Sequence, residues 1–424
     1  MKIRPGDVLL PLMLVSVMGA GISFLSPIFG TIGRWMMFAV LLAYLSFGRK
    51  ARLNTTTVLV ASAYVVWCLL TSAWSEQPSL SLMKAIALGL ALSASLWGGY
   101  HWGSYQKASN ALGHMWPYAA VSLVAGLTGR GGSQIGSIEA LAGATQGPNF
   151  LGFILATSAP VLLWQVRRHW RSGSRRVWWI MVLAFCLLIV YQTASRSALL
   201  VVAAAFAGFL AGIGVRRIAV YAVGAVIGIG LVASMATQVR NAIIQRSILK
   251  GATADRGVFY SREAVWADSF DAAIQGGWFG VGYGVSAGWS TPSAQITTSV
   301  VGYGREKGNS QMAMIEETGV IGLLLSFGLL TVVFRKILAG FREAQDREEK
   351  ILLGIIGGTL VGLVVQSMLE AWWGAPGAPE FAVFWTLAGV GLAVARRNSA
   401  ASVSLRSLAE VRLPSELILR NTQA

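Results

Sequence analysis

Apolar runs of about twenty residues recur along this chain, and that single feature constrains its fold more than any other. One of them reads VWWIMVLAFCLLIVY at 177–191. As a helix, such a run crosses a bilayer core of roughly 30 Å. The runs are continuous and do not alternate with period two, which argues against a closed barrel. Charge is correspondingly scarce: 12% of the 424 residues are charged, where ordinary soluble domains carry about 25%. The expectation is an all-α integral membrane protein with about twelve transmembrane helices. The spans fall near 8–27, 34–48, 54–74, 80–99, 106–127, 147–166, 177–193, 197–214, 217–236, 311–334, 351–371 and 379–395. Residues 1–236 then carry helices 1 to 9. A long, partly helical outer loop fills 237–310, between helices 9 and 10. Helices 10 to 12 occupy 311–396, and 397–424 form an inner tail.

The net charge is +16. With both termini inside, roughly two thirds of the Lys and Arg fall in inner segments, as short cytoplasmic loops require. The basic charge is therefore mostly a topology signal. No basic stripe interleaves with stacking aromatics, so nucleic acid is not expected as a partner. Cys68 and Cys186 both lie inside spans and show neither metal nor disulfide spacing. The start, MKIRPGDVLLPLMLV, reads as an uncleaved first span.

Charges on the outer side need another explanation. Arg196 sits in TASRSALL, a corner so short that the guanidinium is held at one depth. Thr193, Ser195 and Ser197 flank it as hydrogen-bond donors. The long loop adds Arg240, Arg246, Lys250, Arg256, Arg262, Arg305 and Lys307. Arginine's planar fork suits a phosphate or pyrophosphate. Arg262 opens an amphipathic helix, SREAVWADSFDAAIQ, where the helix dipole would favour an acid. Val265, Trp266, Phe270 and Ile274 fall on or near one face of it, which suits the outer interface. Gly280, Gly282 and Gly284 in FGVGYG read as a tight turn, since no strand precedes them and no GK[ST] follows. Glu316 and Glu317 stand about one turn inside a span, where a carboxylate is a functional candidate. Adjacent helical residues do not both face one interior site. Glu370, at the outer end of its span, is similar. His114 reads as a packed mid-span residue.

Taken in order, these stretches resemble the O-antigen ligase and O-antigen polymerase superfamily of envelope glycan transferases. GPNFLGFILATSAP (147–160) resembles its Asn-containing middle helix, and TASRSALL its short arginine corner. SREAVWADSFDAAIQGGWFGVGYG is similar to its arginine, a tryptophan four residues on and a Gly-rich turn. NSQMAMIEETGVIG resembles the next segment, with its later Gly-x-x-Gly pair at Gly319 and Gly322. The likeness covers roughly residues 130 to 330. One departure stands out: ligases of this family usually carry a histidine where this chain has Gly308.

The resemblance implies a multi-pass protein of the bacterial inner membrane, with cytoplasmic termini and a periplasmic active site. The donor would be a glycan on undecaprenyl pyrophosphate. A hydroxyl of a glycan or lipid acceptor attacks the anomeric carbon, and lipid pyrophosphate leaves. Stabilising the departing charge is the main catalytic need. The expected catalytic residues are Arg196 and Arg262, with Glu306, Glu316 and Glu317 as candidate bases. Arg130, Arg305, Asn149, Asn309, Trp278 and Tyr283 are the expected substrate contacts, the two aromatics by stacking on sugar rings. No metal or other cofactor is expected. Partners would be the lipid-linked donor, the acceptor, membrane lipids and other polysaccharide-assembly proteins. Three readings stay open: a polymerase of lipid-linked repeat units, a ligase moving finished glycan to lipid A core or protein, and a transporter or inactive scaffold.

Overall fold

The computed structural model describes residues 4–47, 51–129, 131–135, 138–214, 260–286 and 307–398. The expected span at 217–236, most of the long loop and the tail beyond 398 lie outside the described residues. The described helices are α1 (Gly6–Gly19), α2 (Ser26–Phe29), α3 (Thr31–Ser46), α4 (Thr55–Leu70), α5 (Pro78–Tyr105) and α6 (Trp116–Leu127). They continue with α7 (Pro148–Arg168), α8 (Gly173–Gln192), α9 (Arg196–Ile213), α10 (Tyr260–Gly276), α11 (Ser310–Glu343), α12 (Arg347–Gln366) and α13 (379–398). Six of the described helical stretches are long and apolar enough to cross a membrane: Thr55–Trp74, Pro78–Tyr105, Pro148–Arg168, Gly173–Gln192, Arg196–Ile213 and Ser310–Glu343.

Helix α7 is the hub. Its most apolar window is 89% buried, against 22% for those of α4 and α8. The peripheral helices thus turn apolar side chains outward, as a bilayer allows and water does not. Close helix pairs are made by small residues, which let backbones approach. A side chain on Gly208 would strike the Gly354 carbonyl, one on Gly358 the Ala204 carbonyl, and one on Gly362 would meet Val201. These contacts set α9 antiparallel to α12. Gly99 and Gly103 of α5 lie equally close against Thr386 and Val390 of α13, a pair that runs parallel.

Local chemistry redraws the expected elements in three places. The run at 8–27 is not one helix: α1 ends at Gly19, and residues 20–25 turn onto the segment after a hairpin. There Ser23 N donates to Ala144 O (2.9 Å) and Gln146 N to Gly21 O (3.1 Å). That hairpin, β1 (Gly131–Ile135) with β2 (Ile138–Gly143), fills the Gly-rich stretch read as a loop. The expected span at 106–127 is also interrupted, because α5 runs on to Tyr105 and two short 3-10 turns precede α6. His114 sits in the second of these turns rather than mid-span. It is buried, with Nδ1 3.1 Å from Ala111 O and the ring packed on Trp102.

Candidate functional site

Helix α11 breaks at Gly319, whose φ of 70° and ψ of −179° fit no helix. A break inside the membrane strands carbonyls and amides, and these must find partners within the protein. The Gly-rich stretch after α10 supplies them. Val281 N donates to Glu316 O (2.9 Å) and Gly282 N to Glu317 O (3.0 Å). Val320 N donates to Gly277 O (3.0 Å), and Trp67 Nε1 to Thr318 O (2.8 Å). The turn can lie this close because Gly280, Gly282 and Gly284 all take positive φ, at 78°, 118° and 72°. A side chain on Gly280 would strike the Glu317 backbone. The FGVGYG turn is thus a plug for a broken helix.

At the break lies a buried charge cluster. Lys307 Nζ stands 3.1 Å from Glu316 Oε2 and 2.6 Å from Glu317 Oε1, with the Lys307 and Glu316 side chains wholly buried and that of Glu317 1% exposed. Glu317 Oε2 accepts from Gly284 N (2.7 Å), and Lys84 Nζ donates to Gly284 O (2.6 Å). Both adjacent glutamates therefore serve one interior site, contrary to the sequence expectation. The long lysine stem comes between them just where the helix is about to break. Each carboxylate is engaged by a buried cation, which suits holding the plug better than waiting for a substrate proton.

The same end of the bundle carries a second, more open group. The N-termini of α7, α9 and α11 converge there. Asn149, in the first turn of α7, donates through Nδ2 to Glu370 Oε1 (3.1 Å). Asn309 caps α11, its Oδ1 accepting from Gln311 N (2.8 Å) and Met312 N (3.0 Å), while Nδ2 donates to Met368 O (3.1 Å). Ser310 Oγ donates to Glu370 O (2.9 Å). Arg196 is the first residue of α9 and half-buried. The contact of Val201 with Gly362 fixes the register, so Arg196, about 7.5 Å further along α9, lies level with the stretch after α12. Arg34 of α3 lies against the stretch after α12: its Nη1 donates to Gly377 O (3.0 Å), and its buried Nε has no hydrogen-bond partner among the described residues. Thr193, Ser195 and Ser197 do not join them. Their hydroxyls are buried and used locally, Thr193 on Val190 O (2.7 Å) and Ser195 on Ser197 (3.2 Å).

Of the other expected residues, Arg130, Arg305 and Glu306 lie outside the described residues. Arg262 lies in the first turn of α10, but its side chain is also outside the description. Trp278 is 65% exposed and open to a partner. Tyr283 is wholly buried, and its hydroxyl donates to Gly374 O (2.9 Å), so its ring is core here and not a stacking surface. Helix α10 packs through Ser269, Ala272 and Ala273 and leaves Phe270 and Ile274 outward. Its Val265 and Trp266 fill the space beside Gly308: a Cβ there would come within 2.7 Å of Val265 Cγ1. Residue 308 thus has no room for histidine while α10 lies flush. Sequence reasoning missed Lys84 and Arg34. The signal for both was a lone cation at the start of an apolar run. Among the described residues, no three His, Cys, Asp or Glu are grouped to hold a metal ion.

No family model matches the chain, and no curated protein matches it. Among solved structures, a chain described under "Structural coordination of polymerization and crosslinking by a peptidoglycan synthase complex" is similar at 16% identity and a TM-score of 0.35. The match covers 81% of this chain and 98% of that one. By its own helices, the chain is a multi-pass α-helical membrane protein.

Proposed function

We propose that the protein is a glycosyltransferase of the inner membrane that polymerises oligosaccharide repeat units carried on undecaprenyl pyrophosphate. In this reading it has about twelve spans, cytoplasmic termini and a periplasmic site. The observation that carries the reading is the convergence of three helix N-termini with Asn149, Arg196 and Asn309 at one end. Helix N-termini and arginine forks both favour a phosphate group. Arg196 and Arg34 take the pyrophosphate oxygens, with Arg262, Arg130 and Arg305 as further cations from the outer segments. As the bond from the anomeric carbon to the phosphate oxygen breaks, negative charge grows on the leaving group, and fixed guanidinium groups stabilise it. The acceptor hydroxyl gives up its proton to a carboxylate. Glu370, half-buried and oriented by Asn149, suits this role better than Glu316 or Glu317, which Lys307 engages. Trp278 offers a ring face to a sugar.

A ligase would use the same chemistry on another acceptor. The glycine at 308, where ligases usually carry a histidine, favours the polymerase. The test is glycan size on gels, in a deletion strain complemented with wild type or Arg196→Ala at equal expression. Accumulation of single repeat units in the deletion and the variant supports polymerisation. Long polymer retained on its carrier lipid in the deletion points to ligation, and an unchanged glycan pattern in the deletion removes both readings.

A further inference from the structure

We infer that the groove between α4 and α5, at the end of the bundle opposite Arg196, holds one anionic phospholipid, with an acyl chain along the groove and its phosphate at Arg52. The groove has a volume of about 650 Å³ and walls that are mostly apolar, among them Val58, Val65, Leu92 and Leu96. It is closed at one end where Gly89 approaches Val65, a Cβ there lying 3.1 Å from Val65 Cγ1. Trp97 flanks the other, open end, its Nε1 donating to Ala51 O (2.9 Å). Between Gly89 and Trp97, α5 advances about 12 Å, room for a stretch of extended alkyl chain.

Two further features point to a headgroup. Arg52 lines the mouth, just ahead of α4, and is exposed. Arg396 reaches the same place: its Nη1 donates to Arg52 O (3.1 Å). Two guanidinium groups at the membrane boundary suit a phosphate, whose oxygens they can fork. Val58, Leu59 and Val66 are exposed beside the groove, so it opens toward the bilayer and not toward a soluble ligand. The inference is independent of the reaction proposed above.

The test is native mass spectrometry of the full chain in mild detergent. It is titrated with phosphatidylglycerol, with phosphatidylcholine of the same acyl chains, and with undecaprenyl phosphate. One phosphatidylglycerol should bind, and Arg52→Ala should weaken it about fivefold, the effect of one cation near a charged lipid surface. Ser93→Trp, at an exposed wall position, should abolish the bound lipid while the thermal midpoint holds. Ser62→Phe serves if that variant does not fold. Equal binding of the two phospholipids, or retention in both variants, overturns the proposal. So does one-for-one displacement by undecaprenyl phosphate, which would give the groove to the carrier lipid.

Discussion

Two groups of charge sit at the same end of the bundle and are built in opposite ways. Around the α11 break, Lys307 is wholly buried and bonded to two carboxylates. At the α9 N-terminus Arg196 is half-buried, and Arg34 of α3 has a buried Nε–H with no hydrogen-bond partner among the described residues. Burial makes charges expensive unless they are matched, so the first group is consumed by the fold. The second is less buried, and in the function proposed above its arginines meet the pyrophosphate. If the proposed function holds, burial separates charge that holds structure from charge that meets a substrate.

The comparison can be broken by emptying either group. The largest effect is expected for Lys307→Ala, which strands two buried carboxylates. Such losses run about 3–5 kcal/mol, so folded yield and thermal midpoint in detergent should collapse. Neutralising the whole group sharpens the point: Lys307→Met with Glu316→Gln and Glu317→Gln should recover most of that stability. Arg196→Ala should do the reverse, leaving the midpoint nearly unchanged and cutting polymer formation about 10²-fold, the usual loss for one fixed donor to a developing anion. Gly308→His should lower stability by about 1–3 kcal/mol through overpacking against Val265 and Trp266, without creating a ligase. The smallest effect belongs to Asn149→Ala. Losing one hydrogen bond to Glu370 costs about 0.5–1.5 kcal/mol, and it should shift the pH profile of polymer formation if Glu370 is the base.

Much of this was legible in the sequence, for physical reasons. Apolar run length announced a membrane protein, and the brevity of TASRSALL announced a corner. The FGVGYG glycines announced a turn, because no strand precedes them and no GK[ST] follows. What the turn was for stayed hidden. Its partner is a helix break at Gly319, and a lone glycine in an apolar run looks like any other small packing residue. Lys84 and Lys307 come together only through tertiary contact. The rule that adjacent glutamates face apart failed because a flexible lysine reached both at the end of a helical segment. The run at 8–27 reads as one apolar span, and its turn after Gly19 rests on backbone contacts with the segment after the hairpin, which apolarity does not reveal.

The most direct measurement of the central claim compares two purified variants, each scored for thermal midpoint and for conversion of a lipid-pyrophosphate-linked repeat unit to polymer. One is Arg196→Ala, the other the triple neutral replacement at Lys307, Glu316 and Glu317. Division of labour between fold and substrate predicts a stable but inactive Arg196→Ala and a folded, still polymerising triple variant. An active Arg196→Ala beside a folded but inactive triple variant would contradict it, and would place the chemistry at the buried break instead.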